Sequence, residues 1–408
     1  MIPVTYNTST SKWKYANVNS TWYDYDSGMW ANAVILKSGK SYSVGNDIAM
    51  DDIAQMYVWI PRYKYTIFNG NNSSVSEQLI NVEFESGTNT TGTVKCYDAI
   101  SGTAGTSSEV CSDSTNGSIK NGTSTYTHPA FCLGRKNTDG SCNGTELTGI
   151  WVGKFEVSGS ASAANLTVLP NKNPLVSTSV SSFFTAMSGV SNSFNIKDTN
   201  NKLADSHMMK NMEWGAVAYL KQSKYGLGTT DIALNNYRDT SQTVYYMTGC
   251  GSAVGTTATT TTCTPYNEAN GQAASTTGNI YGVYDMSGGA WEYVMGNMVN
   301  ESGEFYPSSA GTFSSASSAE KYYDAYTYNT SATTQGRGKL GDATKETLKT
   351  FGSTSGGWYS DYATFPYSTY SWFMRGGASI DGANAGVFNF HYTRGDVSHS
   401  ARLVISRP

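Results

Sequence analysis

The amino-acid sequence predicts an α+β fold with long irregular loops and few helices, plus a small β-rich leader at the N-terminal end. Three observations point there. Gly, Ser, Thr, Asn and Tyr form the bulk of the 408 residues, with 29 Tyr and only 9 Pro, a composition that suits strands, turns and open loops. Short runs of alternating large apolar and polar side chains recur between Gly- and Ser-rich stretches, as half-buried strands do. Only two segments carry helical spacing.

Hydrophobic content of 38% is enough for a real core, while 14% charged residues and a net charge of −4 provide no basic field for nucleic acid or an anionic membrane. No apolar run approaches the roughly 18 residues of a membrane span. The opening Met-Ile-Pro-Val lacks the layout of a secretory signal, so an N-terminal anchor or signal is expected to have been lost from the natural chain.

Residues 1–45 read as a Trp-rich leader in which Trp13, Trp22 and Trp30 recur every eight or nine positions, a spacing that suits a hairpin or meander. Packing against the domain that follows is their expected role, sugar contact the alternative. A domain over 46–408 then opens with the alternating stretch 57–65, expected as a half-buried strand. Residues 70–149 and 226–278 read as loop-rich insertions, and 149–157 as a strand. Ser181 to Met187 is expected as a short helix, and 205–224 as a longer one with Asp205 as N-cap and Gly226 as stop.

The six cysteines fall into three near-neighbour pairs, Cys96 with Cys111, Cys132 with Cys142 and Cys250 with Cys263, each bracketing a flexible stretch. Fifteen pairings exist in principle, and the local one is the economical reading. Such bonds persist in an oxidising compartment. Zinc spacing is absent, and four His are too few for a His-rich site.

The stretch Gly278 to Tyr293, GNIYGVYDMSGGAWEY, resembles the N-x-x-G-L-x-D-M-x-G-N-V-W-E-W signature of the formylglycine-generating-enzyme-like family. Residues 211–219, NMEWGAVAY, resemble that family's E-A-E-W-E-Y-A-A helix, and Met374 to Ala378 with Ala401 to Ile405 resemble its R-G-G-S and closing G-F-R strand. The landmarks span roughly 130–408 and imply a C-type-lectin-like fold. The sequence departs from the catalytic members in two ways. Residues 379–390 contain no cysteine where the family's active-site pair belongs, and His128, His207, His391 and His399 lack the clustering of an iron site. Gly289 replaces the usual Asn, which weakens the case for a structural calcium, the one cofactor the resemblance leaves room for. No catalytic residue is assigned and no enzyme activity is expected.

Some proteins of this fold are the variable proteins of diversity-generating retroelements, in which template adenines are copied unfaithfully into C-terminal codons. Asn codons so altered never encode Lys, Glu, Gln, Met or Trp. Residues 378–401 contain none of those five types, although they make up 60 of the 408 residues. The resemblance therefore implies a variable ligand-binding segment at 378–401, with Ser379, Ile380, Asp381, Asn384, Val387, Phe388, Asn389, Phe390, His391, Tyr392, Asp396, Val397, Ser398 and His399 as candidate contacts. Aromatics give contact area at little entropic cost and short polar groups give hydrogen bonds. Trp291 and Trp372 are expected as core, and Arg375 and Arg402 as hydrogen-bond partners that hold loops. The expectation is a non-enzymatic surface receptor or adhesin, outside the cell on a bacterium, that recognises an unspecified protein or glycan. A formylglycine-generating, sulfatase-modifying oxidase and a phage tail-fibre receptor-binding protein are the alternatives.

Overall fold

The strand Ile53–Pro61 is rich in β-branched and aromatic residues and forms the spine of a seven-stranded antiparallel sheet. In this computed structural model the described residues are 1–67, 76–92, 125–134, 141–198, 200–253, 258–300, 303–307, 310–313, 320–328, 330, 338–350, 353–396 and 398–406. The protein is mostly β, with few short helices and long loops. Across the sheet the order is Asp205–Met208, Leu403–Ser406, Gly149–Gly153, Ile53–Pro61, Asn32–Leu36, Ile2–Asn7 and Lys12–Tyr15. Because Ile53–Pro61 is the central strand, both its faces are covered, and the single wet face expected from the 57–65 alternation does not exist. Val58 and Ile60 enter one core cluster with Trp214, Phe388 and Phe390. Ile53 and Tyr57 enter another with Trp13, Phe155 and Trp372.

The first three strands are hydrogen-bonded into this sheet, so the boundary expected at residue 45 falls inside a continuous sheet. Trp13 and Trp30 are buried, and Trp22 is half-buried. Trp13 packs beside the ammonium of Lys154, 5.2 Å from its ring centroid. That buried ammonium donates to Asn32 Oδ1, Ile280 O and Gly282 O at 2.9, 2.7 and 2.8 Å. Three donors meet three acceptors, which joins the leader, the sheet and the 278–293 motif at one point.

A second sheet carries the C-terminal segment. Its order is Asp324–Thr327, Glu292–Val299, Trp372–Gly376 and Gly386–Thr393, with Ser400–Ala401 paired in parallel to Glu292–Val299. Arg402 leads from that short strand into Leu403–Ser406 of the large sheet. Its buried guanidinium donates to Glu292 Oε2 at 3.0 Å, closely to Glu292 Oε1, and to Gly153 O and Tyr284 O at 2.8 and 2.9 Å.

Cys132–Cys142 and Cys250–Cys263 form disulfides, the pairing the spacing suggests. Cys96 and Cys111 lie outside the described residues, as does much of 70–149. In the described part of that stretch Asn81–Phe84 and Tyr126–Thr127 flank Tyr63–Thr66. Among the described residues of 226–278 the named strands and helices are Cys250–Gly251 paired with Thr264–Pro265 and the helix Ala269–Gln272.

The helix Val180–Ser188 forms as expected, with the Ser179 hydroxyl accepting from Ser182 N–H. The longer helix differs. Asp205–Met208 is a strand against Leu403–Ser406, and the helix runs only over Asn211–Lys221, buried at every position. Asp205 does not cap it, because its carboxylate binds His207 Nδ1, Lys321 Nζ and the Tyr322 hydroxyl. Glu213 starts the helix instead, accepting from Lys210 N–H at 2.8 Å. His207 is pinned between Asp205 and Glu213 at 3.1 and 2.9 Å. Burial alone would lower its pKa, but the two carboxylates win and raise it to about 9.

Glu292→Ala would leave the Arg402 charge buried without its carboxylate, and the expected loss is about 3–5 kcal/mol of unfolding free energy in urea titration. His207 gives a pH signature. Its folded pKa, about 9, lies above the unfolded value of 6.5, so its contribution is complete below pH 6.5 and is lost as pH rises through 9. His207→Gln should therefore cost more stability at pH 6 than at pH 10, and an equal cost at both would contradict the charged pair.

Candidate functional site

The strand Gly386–Thr393 is split along its length. Its register against Trp372–Gly376 sets Phe390 opposite Arg375, His391 opposite Met374 and Tyr392 opposite Phe373. In the first half both faces are covered, and Val387, Phe388, Asn389 and Phe390 are buried. Phe388 lies edge-on to Trp358 at 5.1 Å, and Phe390 lies against Phe365 at 4.9 Å. Val387 O accepts from Trp214 Nε1 at 2.7 Å. Asn389 O accepts from Arg375 Nε at 2.7 Å, while its side-chain amide donates to Asn384 O. Ser379 is buried as well, its N–H donating to Gly289 O. These five side chains are corrections to the expected exposed face: the helix and the 358–365 loop cover the side of the sheet that a lone strand would show to water.

The Arg375 guanidinium reaches Asn211 Oδ1, Asp342 O and Ala343 O at 2.7, 2.9 and 3.0 Å. Burial lowers its pKa to about 10, which leaves it charged at neutral pH. It therefore anchors the strand from beneath, the loop-holding role expected of it.

The second half of the strand opens to solvent. His391 and Tyr392 are half-exposed, and around them lie Trp291, Tyr362, Tyr367 and Tyr370, also half-exposed. Trp291 and Tyr362 stack with centroids 6.5 Å apart, and His391 meets both edge-on at 5.6 and 5.8 Å. His391 lies 4.2 Å from Tyr392, which meets Tyr367 at 4.8 Å and Tyr370 at 5.3 Å. Six rings thus form one continuous strip. Trp291 belongs to it and not to the core, whereas Trp372 is fully buried as expected.

Ile380 is 49% exposed and sits in a loop joined to the strip: Asn384 O accepts from Tyr362 N–H. Asp381 and Asn384 are half-buried, and the Asp381 carboxylate accepts from Ala378 N–H at 2.7 Å. Asp396 and Ser398 are exposed; His399 is half-buried, edge-on to Tyr293 at 5.0 Å. Val397 lies outside the described residues. Burial lowers the pKa of His391, and that of His399 to about 4, so both are neutral at physiological pH. The two histidines therefore add no charge to the aromatic area, and the charges at its edge are those of Arg394, over Tyr370, and Asp396.

Trp291, Tyr362, Tyr367 and Tyr370 were missing from the expected contact set. Tyr367 and Tyr370 close a reverse turn, exchanging backbone hydrogen bonds at 2.9 and 2.8 Å. Their i, i+3 spacing around Ser368 and Thr369 was the available signal.

The residues around Gly289 do not fit a calcium ion. Gly289 has φ +74°, and a Cβ there would approach Glu156 Oε1 to 2.6 Å. Glu292 is bound by Arg402, and Asp285 accepts from Gly249 N–H and Asn235 Nδ2. Of these carboxylate oxygens only Glu156 Oε2 is left without a partner, with Ser379 Oγ a second unpaired oxygen nearby, against the six to eight oxygens that calcium takes. Among the described residues no group of three or more His, Cys, Asp and Glu is placed to hold a metal ion.

Phe388→Ser and Phe390→Ser should each lower stability by about 3–5 kcal/mol, as truncation of a buried aromatic does. Ile380→Ser should shift it by about 0.5 kcal/mol, and Tyr392→Ser far less than either phenylalanine change. Thermal unfolding of the four variants separates anchor from surface, and a Tyr392→Ser loss as large as the phenylalanine losses would place that ring in the core.

No protein-family model and no curated protein matches the sequence. Among solved structures the chain aligns with one described as "Major Tropism Determinant I1 Variant", over 99% of this chain and 94% of that one, at 11% identity and a TM-score of 0.30. A likeness this loose assigns neither fold nor function.

Proposed function

We propose that this protein is a non-enzymatic ligand-binding receptor of C-type-lectin-like fold, displayed outside the cell and diversified by a retroelement in its C-terminal segment. The observation that carries the reading is the strip of six half-exposed rings, with Ile380 and Asn384 beside it, built on a strand whose other half is locked by Arg375. A rigid base with large, low-entropy aromatic side chains on top is the arrangement of an adaptable paratope. Strips of clustered exposed aromatics are uncommon on surfaces that bind nothing.

Three further features support it. The segment 378–401 is free of the five residue types that adenine-directed mutagenesis cannot produce. The stretch after the Arg-Gly-Gly landmark has Ser379, Phe388 and Phe390 buried and no cysteine in it, which leaves the oxidase alternative without its nucleophiles. Two disulfides suit an oxidising location, and no helix among the described residues is long and apolar enough to cross a membrane. The ligand is a protein or glycan on another cell or particle, and carriage on a phage fibre is the alternative display.

The encoding DNA tests the diversification. An imperfect repeat of the codons for 375–405 is expected beside a reverse-transcriptase gene, and a locus with neither removes the retroelement from the proposal. Purified protein incubated with a sulfatase-type cysteine peptide should yield no formylglycine by mass spectrometry. Conversion that is lost on replacing one of the six cysteines would make the chain an enzyme.

A further inference from the structure

Beside the aromatic strip lies a cleft of about 440 Å³ lined by Pro307, Gly311, Thr312, Ser368, Thr369, Ser371, Arg394 and Asp396. Its size falls within the range of about 300–1,000 Å³ usual for small-molecule sites, and its lining is more apolar than polar, with Arg394, Asp396 and the serine and threonine residues as its polar members. Ser368 and Thr369 present hydroxyls from the turn between Tyr367 and Tyr370. Arg394 and Asp396 are exposed, two residues apart, and neither makes an ion pair among the described residues. The Arg394 guanidinium instead lies over the Tyr370 ring, 4.9 Å from its centroid, which fixes the fork while leaving its N–H groups directed elsewhere.

The opposite wall is strained. Gly311 and Thr312 have φ +59° and +68°, and a β-branched residue in the left-handed region is a genuine outlier of the kind found at ligand clamps. Thr312 is held there through its hydroxyl, which bonds Ser179 Oγ at 3.1 Å and Ser181 Oγ closely. Behind the wall the indole of Trp372 fits against Gly311 and Gly395, where a Cβ would come within 3.1 Å of Nε1 and 2.6 Å of Cδ1 respectively.

We propose that this cleft is a binding site for a neutral sugar ring. A free carboxylate opposes phosphate, sulfate and carboxylate ligands, and a free guanidinium opposes cations. A polyol satisfies both, since each hydroxyl donates to Asp396 and accepts from Arg394, and the serine and threonine hydroxyls can do either. The site deepens the receptor reading and rests on it, because it gives the aromatic face a glycan as its ligand class.

Saturation-transfer NMR on the full chain tests this with methyl α-glucoside, methyl α-galactoside, methyl α-mannoside and N-acetylglucosamine as probes. At least one should bind saturably with Kd of about 1 mM, the weak end expected for one small ligand. Asp396→Ala and Arg394→Ala should each weaken it by about tenfold or more, the loss of a charge-assisted hydrogen bond, with unchanged melting temperature because both side chains are exposed. Absence of transfer to all four sugars overturns the proposal, as does binding that neither variant weakens, or stronger binding of N-acetylneuraminate or inorganic phosphate than of any neutral probe. Trp291→Ser and His391→Ser separate this from the receptor reading. Sugar binding that survives them while both cleft variants abolish it locates the site in the cleft, whereas an absent codon repeat with intact sugar binding removes the retroelement and keeps the site.

Discussion

The buried pair of Arg402 and Glu292 holds the two sheets in one relation. Glu292 begins a strand of the smaller sheet, Arg402 stands between the last strands of the two sheets, and its other donors end on Gly153 and Tyr284 in the larger sheet and the motif loop. Burial raises the Glu292 pKa to about 7 even though the neighbouring guanidinium opposes the rise. A charge pair taken out of water gains little net stability over an apolar one. What it supplies is direction, because a forked guanidinium accepts only one arrangement of four oxygens. The alignment of Gly386–Thr393 beneath the aromatic strip follows from it.

Arg375 repeats the device one strand further in. Its partners come from the buried helix, the 342–343 loop and the strand that carries the face. The surface can therefore hold six clustered rings without collapsing, because the backbone beneath them is set by interactions the rings do not share. Exposed aromatic area is a liability on a loose loop and a tool on a fixed strand.

How much of this was legible in the sequence depends on the range of the interaction responsible. A strand opening at Gly149, the 181–187 helix and two cysteine pairs are local features and legible, whereas 57–65 divides between Ile53–Pro61 and Tyr63–Thr66 in different sheets and the 149–157 run is a strand only to Gly153. The Asn279 motif residue was readable as a landmark, but its contact with Gly28 O, 251 residues away, was not. The 205–224 helix was misjudged because Met208 and Met212 keep a helical interval across a strand-to-helix break, and only the pairing of Asp205–Met208 with Leu403–Ser406 reveals it. Period-2 alternation told which residues of 387–392 share a side. It could not tell that both sides are covered up to Phe390, since the covering groups, Trp358, Phe365 and Trp214, come from distant segments. Trp291 reads as core from the sequence, yet its neighbours Tyr362 and His391 are themselves at the surface.

Leu403–Ser406 lies between Asp205–Met208 and Gly149–Gly153, neither of which pairs with the other. Until Leu403–Ser406 docks, the large sheet therefore carries a gap one strand wide, with two sets of unpaired backbone groups facing each other across it. The Arg402 contacts with Glu292 and Gly153 wait on the same event. Pairing across about 250 residues of intervening chain closes slowly, because the loop-closure entropy comes due before any contact offsets it. The leader hairpin pairs Val4 with Tyr15 and can form early, so the two edges of one sheet are completed by loops of very different length.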